Sequence, residues 1–315
     1  MARALVIAGR EEKPEIREIP TAPPAPGQLR VAVEAASVNG IDAATAAGYL
    51  WDMLPHTFPV VLGRDFAGRV DAVGDGVTSV QVGDRVLGVI TAMTLGGGGI
   101  AETATIDANG VVALVPEAVS SAEAAGLGLV GLTAAALVEA LQLSADDVVL
   151  VSGATGGVGA IAVQLAAATG AKVIATTRPD GDSIEFLRVL GAERVVDYTA
   201  DLAAAIGEEG VTAVVHGAGD VAALAKLLRP QGRLASALSA TQEQAGRDDI
   251  AVLPVMADAS TATLEKLLIA TAEGKLRVPV ARTYDFEDAA QALADFGNHK
   301  LGKLVVKNSA LAAAL

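Results

Sequence analysis

The sequence predicts an α/β protein of two domains, in which a β-barrel-like domain precedes a doubly wound parallel sheet. Its 315 residues suggest about two domains at roughly 150 residues each. Short β-rich runs between Gly and Asp turns fill the first 120 residues, as in small barrels. Strand and helix patterns alternate from residue 121, which is typical of parallel βαβ units. The tail is β-like again, so we expect one domain of 1–120 with 276–315 and another of 121–275.

The composition excludes several classes of protein. The chain has 23 Lys and Arg against 37 Asp and Glu, a net charge of −14, so the clustered cations that bind nucleic-acid phosphates are not expected. Cysteine is absent, so neither a disulfide nor a thiolate zinc site can form. With 52% hydrophobic and 19% charged residues, the chain has enough apolar surface to fold.

One uncharged stretch, residues 148–171, is long enough to span the ~30 Å hydrocarbon layer of a bilayer. Four glycines between residues 153 and 159 make it a poor helix. Asp146 and Asp147 precede it, where basic residues would flank a membrane span. A strand, a glycine turn and a buried helix fit the stretch better. The amino terminus shows no signal-peptide pattern, so we expect a cytoplasmic protein that binds neither membrane nor nucleic acid.

The first domain is predicted from β-rich runs bounded by turns. A Pro-rich turn at residues 23–27 precedes the first of these runs. The predicted strands are Leu29–Val38, Phe66–Val73 and Arg85–Ile90. Gly96–Gly99 is predicted to be a flexible loop, either a plain surface loop or a mobile lip beside an active site.

The second domain is predicted from a regular alternation of β-rich and helical runs. Its strands are predicted at 147–152, 172–177, 194–196, 211–216, 233–237 and 250–256. Its helices are predicted at 121–141, 158–169, 183–190, 222–228 and 261–272. The tail is predicted to hold strands at 278–283 and 304–307 with a helix at 286–296 between them. The alternation implies a parallel sheet with helices on its faces.

A glycine-rich turn separates the predicted strand 147–152 from the predicted helix 158–169, the order that a dinucleotide-binding fingerprint requires. The G-x-G-x-x-G frame falls on Ala154, Gly156 and Gly159, so Ala replaces its first glycine. Gly156 would let the backbone approach a pyrophosphate, and Gly159 would let the helix pack on the strand. The helix N-terminus supplies free N–H groups. We predict a dinucleotide site here; the alternative is a glycine turn that serves packing only.

The end of the next strand predicts which dinucleotide is bound. NAD-binding domains carry an Asp or Glu there, which binds the ribose 2′-hydroxyl. This chain has Thr176-Thr177-Arg178 instead. Hydroxyls and a guanidinium suit a 2′-phosphate, so we predict NADPH rather than NADH. Asp180 and Asp182 lie close by and are assigned to a solvated turn.

Six segments along nearly the whole chain carry the motifs of a known family: Val38–Asp42, Leu62–Gly68, Val82–Val86, Gly131–Ala134, Gly153–Gly159 and Gly302–Val305. In this order they resemble the medium-chain dehydrogenase/reductase superfamily, within its zinc-free quinone oxidoreductase-like group. The resemblance implies a GroES-like β-barrel domain, a Rossmann domain and a nicotinamide cofactor in the cleft between them. It also implies a homodimer joined edge to edge through strand 250–256.

The same resemblance bears on metal binding. Zinc-dependent members carry G-H-E, whose His binds the metal, where this chain has Gly63-Arg64-Asp65. His56, His216 and His299 are scattered without the spacing of zinc ligands, so we predict no metal site. His216 ends a predicted strand where the family usually has Asp. It would either contact the nicotinamide half of the cofactor or replace a structural hydrogen bond, and we favour the second interpretation.

The resemblance and the glycine turn together give the candidate cofactor site. The resemblance places Asn39 and Thr133 beside the nicotinamide and Tyr198 against the nucleotide. Cofactor binding is predicted for Asn39, Thr133, Thr155, Gly156, Gly157, Val158, Thr176, Arg178, Tyr198 and Gly217. The alternative roles are a turn former for Asn39 and an ordinary helix residue for Thr133.

Tyr49 is the candidate catalytic residue, as a proton donor or orienting group. Some quinone and enoyl reductases of the superfamily carry Tyr two residues after the glycine that corresponds to Gly48, whereas Tyr49 follows it directly. We expect Tyr49, Trp51 and Phe58 to form an aromatic rim, which would either contact the substrate or serve ordinary packing.

Together these features predict NADPH-dependent, metal-free hydride transfer to a small molecule, a quinone or an α,β-unsaturated carbonyl. The nicotinamide carbon would be held ~3–3.5 Å from the electrophile, and the oxyanion that forms would be stabilised by donors. One alternative is an enoyl-thioester reductase, although the chain has no Lys/Arg run for the phosphates of such a substrate. Another is an NADPH-binding sensor or structural protein with little turnover.

Overall fold

The computed structural model describes residues 1–257 and 259–308. These residues form two compact units. The first comprises residues 1–129, 259–299 and 303–308, and the second comprises residues 130–257 and 300–302.

Strands and helices follow one another along the whole described chain. The strands are β1 (Ala2–Ile7), β2 (Glu15–Ile19), β3 (Gln28–Ser37), β4 (Val60–Val61), β5 (Asp65–Val73), β6 (Arg85–Val89), β7 (Thr103–Asp107), β8 (Val111–Leu114), β9 (Val148–Ser152), β10 (Lys172–Thr177), β11 (Arg194–Asp197), β12 (Val211–His216), β13 (Leu228–Ser236), β14 (Ala251–Pro254), β15 (Val280–Asp285) and β16 (Lys303–Lys307). The helices are α1 (Gly40–Ala46), α2 (Ser121–Leu141), α3 (Gly157–Ala168), α4 (Gly181–Val189), α5 (Leu202–Ile206), α6 (Val221–Ala225), α7 (Gln242–Ala245), α8 (Thr261–Ala272) and α9 (Ala289–Ala294). Two single 3₁₀ turns flank α9, at Phe286–Asp288 and Asp295–Gly297.

The first unit is built on two sheets. A three-stranded sheet has the order β2-β1-β4, and a seven-stranded sheet has the order β15-β16-β3-β5-β6-β8, with β7 paired to β3. All these pairs are antiparallel except β15 with β16. The core is mostly aliphatic, and its fully buried members include Leu5, Leu29, Phe66, Leu87 and Ile100. This arrangement of short, mostly antiparallel strands agrees with the predicted β-barrel-like domain.

The second unit contains a six-stranded parallel sheet of order β11-β10-β9-β12-β13-β14. Numbered within the unit, this order is 3-2-1-4-5-6, the doubly wound arrangement, whose ligands bind outside the carboxyl ends of the strands where the order reverses. The reversal lies between β9 and β12. Val149, Leu150 and Val151 of β9 are fully buried, as expected for a central strand covered on both faces.

The structure differs from the predicted elements in the bounds of two helices and in several short strands and helices that were not predicted. Helix α6 ends at Ala225 rather than at residue 228, because Leu228 already begins β13 and pairs with Val211 of β12. The helix predicted at 286–296 is broken into α9 and its two 3₁₀ turns. Strands β1, β2, β4, β7 and β8 and helices α1, α5 and α7 were not predicted.

Helix α2 is the described helix whose length and composition would let it cross a membrane, with a mean hydropathy of 1.8 over its most apolar window. In the structure 61% of that window is buried, so packing within the protein accounts for most of its apolar surface. The sequence criterion singled out residues 148–171 and missed α2. That stretch forms β9, the glycine turn and α3, as predicted.

Candidate active site

The glycine turn connects β9 to α3 at the carboxyl edge of the parallel sheet. Gly153 has a φ of +73°, and the N–H of Gly156 donates to its carbonyl oxygen at 3.1 Å. Gly156 is the N-cap of α3, so no side chain caps the first turn of this helix, which begins with Gly157 and Val158. By contrast Asp residues cap α4, α5 and α6. The first N–H groups of α3 are therefore available to an anionic ligand.

Two glycines of this turn have different structural roles. A Cβ on Gly159 would lie 2.3 Å from the carbonyl oxygen of Gly153 and 2.6 Å from the Cα of Ala154. The close approach of α3 to the end of β9 therefore requires glycine at position 159. A Cβ on Gly156 would have one neighbour, the oxygen of Gly153 at 3.4 Å. The space beside Gly156 is open, as the predicted approach of a pyrophosphate requires.

The turn is also held by a glycine from the far end of the chain. The N–H of Gly302 donates to the carbonyl oxygen of Thr155 at 2.8 Å, and Gly302 forms an isolated parallel bridge with Gly156. Gly302 belongs to the G-K-x-V motif, whose role was not predicted. The contact fixes the predicted site residue Thr155 through its backbone.

The end of β10 carries one hydroxyl that supports the turn and one that has no partner. Thr176 Oγ1 accepts the N–H of Gly153 at 3.3 Å, so this predicted cofactor residue braces the glycine turn. Thr177 is 2% exposed, and its Oγ1 is buried without a hydrogen-bond partner among the described residues. A buried hydroxyl without a partner marks a place where a ligand atom could complete the hydrogen bonding. Thr176 was among the predicted cofactor-binding residues, whereas Thr177 was not.

Arg178 and Tyr198 form a pair beside Thr177. Arg178 Nε donates to the Tyr198 hydroxyl at 2.8 Å, and the N–H of Tyr198 donates to the carbonyl oxygen of Thr177 at 3.2 Å. The hydrogen bond to Tyr198 raises the pKa of Arg178 above its usual value, so the side chain stays cationic. Asp180 is used as the N-cap of α4, where it accepts the N–H of Ser183 at 2.8 Å.

His216 occupies a structural position at the end of β12. Its side chain is 3% exposed, with Nε2 3.1 Å from the Gly219 carbonyl oxygen and Nδ1 3.0 Å from Ser236 Oγ. A carbonyl can only accept, so Nε2 carries the proton and Nδ1 accepts from the serine hydroxyl. Both ring nitrogens are thus used within the protein, which supports the structural interpretation. The neighbouring Gly217 donates its N–H to Ser152 O at 3.2 Å, which ties it to the end of β9.

Asn39, predicted to lie beside the nicotinamide, belongs to a buried polar network in the first unit. It is 3% exposed. Its Nδ2 donates to Asp65 Oδ1 at 3.1 Å, and its Oδ1 accepts from Lys303 Nζ at 2.7 Å. Lys303 also donates to the carbonyl oxygen of Val38 at 2.7 Å. The Asn39 amide therefore has a fixed orientation, and it is held by Lys303, whose role was not predicted.

Two carboxylates complete this network. Asp42 accepts the N–H of Asn39 at 2.9 Å and that of Gly63 at 2.8 Å. Burial raises the pKa of Asp42 to about 6, although both N–H groups favour its charged form. Asp65 accepts from Ser37 Oγ at 2.5 Å and from the N–H of Leu129 at 2.9 Å.

Arg64 lies between these two acids in sequence but pairs with neither. It is 6% exposed, and its Nη1 donates to the carbonyl oxygen of Ala92 at 2.6 Å. No carboxylate of the described residues lies within ion-pair distance of it. Burial lowers the pKa of Arg64, and the charge of Asp42 opposes this effect.

The predicted aromatic rim differs in the structure. Tyr49 is 74% exposed, and among the described residues it makes no ring contact with Trp51 or Phe58. The aromatic cluster consists instead of Trp51, His56 and Phe58, with ring centroids 5.1–5.2 Å apart. The inclusion of Tyr49 in the rim was wrong, because the side chain of His56 takes its place against both rings.

The flexible-loop prediction for Gly96–Gly99 was wrong for its second half. Gly98 and Gly99 are buried. A Cβ on Gly98 would lie 2.3 Å from the carbonyl oxygens of Val61 and Leu62, and the N–H of Gly99 donates to Gly63 O at 2.8 Å. These glycines are required for close backbone packing.

The remaining site predictions concern metal binding and Thr133. Within residues 1–257 and 259–308, no group of three or more His, Cys, Asp or Glu could hold a metal ion. His56 Nδ1 lies 3.1 Å from the carbonyl oxygen of Leu54, so this histidine has a hydrogen-bond partner two residues away. Thr133 lies in the part of α2 that belongs to the second unit and is partly exposed.

Comparison with known proteins decides the family. The family models for the alcohol dehydrogenase GroES-like domain and for zinc-binding dehydrogenase match residues 25–117 and 190–306. The quinone-oxidoreductase QR1 of Triphysaria versicolor is 30% identical over 311 residues, 92% of each chain. The chain belongs to the medium-chain dehydrogenase/reductase superfamily. Within it, the protein is quinone oxidoreductase-like, with a GroES-like first unit and a Rossmann-like second unit.

Two further similarities are consistent with this placement in the medium-chain dehydrogenase/reductase superfamily. The quinone oxidoreductase from Coxiella burnetii superposes with a TM-score of 0.86 and 29% identity, covering 98% of this chain and 99% of that one. The chloroplast envelope quinone oxidoreductase homolog of Arabidopsis thaliana is 38% identical over 208 residues. That match spans 63% of this chain and 62% of the relative, less than two thirds of its length. Members of the superfamily generally bind a nicotinamide cofactor.

Proposed function

We propose that the protein is an oxidoreductase that uses NADPH, without a metal, to reduce quinones or α,β-unsaturated carbonyls. The observation that carries the proposal is the set of donors around the end of β10, next to an α3 N-terminus that has no side-chain cap. This arrangement offers N–H groups to a pyrophosphate and a guanidinium to a further phosphate of the same ligand.

The choice of NADPH is supported by the chemistry at the end of β10. Neither an Asp nor a Glu ends this strand, so the usual acceptor for the 2′-hydroxyl of NAD is missing there. The terminal nitrogens of Arg178 make no hydrogen bond with any described residue, while its Nε is held by Tyr198. A guanidinium fixed at Nε and open at its other nitrogens can bind a phosphate in a bidentate way. The unpartnered hydroxyl of Thr177 would be a further donor.

The residues of the chain have distinct tasks in this proposal. Bound NADPH supplies a hydride from its nicotinamide carbon. The first turn of α3 holds the pyrophosphate, and Arg178 with Tyr198 holds the 2′-phosphate. The hydrogen bonds of His216 fix the end of β12 beside the glycine turn. The substrate would accept the hydride at carbon and its oxygen would take up the negative charge as an enolate. A proton from water would then complete the reduction of an enone, and a quinone would in addition tautomerise to its hydroquinone.

Metal-free chemistry is supported by the donor set of the chain. It contains no cysteine, and the part of the chain that the structure describes lacks a cluster of three metal-binding side chains. A substrate that stabilises its own developing charge by conjugation suits a site of this kind. Quinones and enones both have this property.

The proposal is tested first by the cofactor preference. Titration calorimetry with NADPH and NADH would be run on the wild type, on Arg178→Ala and on Arg188→Ala, an exposed Arg of α4 that serves as the control. Loss of hydrogen bonds to a charged group at about 1.5–3 kcal/mol predicts about 10- to 100-fold weaker NADPH binding for Arg178→Ala. NADH binding and the control should stay unchanged. Equal affinity of the wild type for both nucleotides would overturn the NADPH assignment.

The reaction class is tested by NADPH oxidation with a panel of quinones, enones and enoyl thioesters. Turnover of quinones or enones is the expected result. Turnover restricted to enoyl thioesters would replace the proposal with an enoyl-thioester reductase. Tight NADPH binding without turnover of any compound would favour a sensor or structural protein.

We also propose that the protein forms a homodimer through β14. This strand is at the edge of the six-stranded sheet, and Ala251 and Pro254 on it are exposed. An exposed edge strand offers unpaired backbone groups to a second copy. Sedimentation should give twice the mass of the 315-residue chain, and a monomer over the whole concentration range would overturn this proposal.

A further inference from the structure

Arg64 is a buried cation that has no ion-pair partner among the described residues. Its backbone is fixed at the start of β5, where Arg64 O accepts the N–H of Ile90 at 2.7 Å. Its side chain gives one hydrogen bond, to Ala92 O at 2.6 Å. A guanidinium has five donor hydrogens, so most of its donor capacity is unused within the described residues.

The nearby acids are committed elsewhere. Asp42 binds the N–H groups of Asn39 and Gly63. Asp65 binds Ser37, Asn39 and the N–H of Leu129. Burying an unpaired charge costs several kcal/mol, and a neutral Gln could donate to Ala92 without that cost. The retention of a cation here therefore points to a partner that is not part of the chain.

A second buried donor without a partner lies in the same unit. Trp51 is 6% exposed, and its Nε1 has no acceptor among the described residues. The loop that follows Trp51 is tied to Leu95, which donates to Pro55 O at 2.8 Å and accepts from the N–H of Thr57 at 2.9 Å. Arg64 is tied to Ala92, three positions earlier. Residues 92–95 thus contact both Arg64 and the loop that follows Trp51.

We propose that Arg64 is a binding site, within the first unit, for a singly charged organic oxyanion of the enolate or phenolate class. The choice of this anion class rests on the proposed function, since reduction of an enone or a quinone gives an anion of this class. Arg64 would stabilise the oxyanion through its charge and its unused N–H groups, without giving up a proton.

The electrostatics favour a singly charged oxyanion as the ligand. One such oxygen would neutralise the single guanidinium, and a donor that is already desolvated and fixed stabilises developing charge far more than one in water. A neutral carbonyl oxygen would gain less, so Arg64 should bind an enolate or phenolate more strongly than a neutral ligand of the same shape.

The test uses 4-nitrophenolate, a planar aromatic oxyanion, against 4-nitroanisole, its neutral counterpart. Binding to the full chain, with and without NADP⁺, is measured by calorimetry in alkaline buffer where the phenol is ionised. The wild type should bind the phenolate at least about tenfold more tightly than the anisole. Arg64→Gln, which can still donate to Ala92, should lose this preference. Arg69→Gln, on the strand β5 that follows Arg64 but partly exposed and paired with Glu34, should keep it.

Arg64→Lys keeps the proposal testable if the Gln variant does not fold. Lysine preserves the charge and a donor for Ala92, so this variant should retain a preference for the phenolate with reduced affinity. Equal binding of phenolate and anisole by the wild type overturns the proposal, as does a folded Gln variant with the wild-type preference. An anion preference that depends on Arg64, in a protein that reduces neither quinones nor enones, would uphold the anion site and refute the proposed function.

Discussion

Replacing Gly156 by Ala should weaken dinucleotide binding while leaving the folded protein intact. Gly156 has φ −75° and ψ 171°, an extended conformation that Ala adopts without strain. Its new Cβ would meet one atom, at the ordinary contact distance of 3.4 Å. Ala stabilises the folded state by about 0.4–1 kcal/mol because it lowers the conformational entropy of the unfolded chain. It destabilises the folded state by a comparable amount because it is a poorer N-cap than Gly. The free energy of unfolding should therefore change by less than about 1 kcal/mol.

The same methyl group would occupy the space through which a pyrophosphate approaches the first turn of α3. Loss of one charge-assisted hydrogen bond, at about 1.5–3 kcal/mol, corresponds to about 10- to 100-fold weaker NADPH binding. Gly159→Ala provides the contrast. Its Cβ would lie 2.3 Å from the Gly153 carbonyl oxygen, and such overpacking costs about 1–3 kcal/mol or more. A stability loss of about 1–3 kcal/mol lowers Tm by about 2–12 °C.

Thermal unfolding and calorimetric titration with NADPH separate the two effects. Gly156→Ala should keep the wild-type Tm and lose affinity, whereas Gly159→Ala should lose stability. A folded Gly156→Ala variant with wild-type affinity would refute the placement of the pyrophosphate at this turn. Equal destabilisation by both substitutions would refute the assignment of different packing roles to the two glycines.

Three further predictions concern stability. In the folded protein the pKa of Asp42 is about 6, whereas in the unfolded chain its carboxyl group has the ordinary pKa of 3.8. Raising the pH through this window should therefore lower the free energy of unfolding by up to about 3 kcal/mol. Urea unfolding of wild type and Asp42→Asn at about pH 4 and about pH 7 checks this, and parallel pH dependence in both proteins would contradict it. Gly98→Ala should lower the free energy of unfolding by more than about 1 kcal/mol through overpacking. Gly97→Ala, whose Cβ would meet no atom within 4 Å, should leave it unchanged in the same assay. Similar stabilities of the two variants would disprove the packing role of Gly98. Ser236→Ala should destabilise the protein by about 1–3 kcal/mol, because His216 Nδ1 loses its donor and the N–H groups of Leu238 and Ala240 lose their acceptor. An unchanged urea midpoint would show that these hydrogen bonds contribute nothing.

Features encoded by local sequence were predictable. Helix α8 begins at Thr261 and ends at Ala272 as predicted, because an apolar helical run follows a Ser that can cap it. The β9–turn–α3 unit was predictable because a hydrophobic strand, closely spaced glycines and an apolar helix follow one another directly. The alternation of strands and helices then predicted a parallel, doubly wound sheet.

Features that depend on distant pairing were not predictable. Strand β4 has two residues and exists because Val61 pairs with Val6 of β1. The contact that orients Asn39 comes from Lys303, 264 residues away in sequence. The aromatic rim was predicted from proximity in sequence. In the structure His56, five positions after Trp51, packs against Trp51 and Phe58 in the place predicted for Tyr49. Local propensity carries no information on such choices.

The buried tryptophan makes the cooperativity of unfolding between the two units measurable. Trp51 is the one tryptophan of the chain and lies wholly in the first unit. Its indole fluorescence will therefore report the opening of that unit alone, with a shift to longer wavelength as water reaches the ring. Far-UV circular dichroism reports the helices of both units together. If the two signals change at the same urea concentration, the units unfold as one; if they separate, each unit has its own stability.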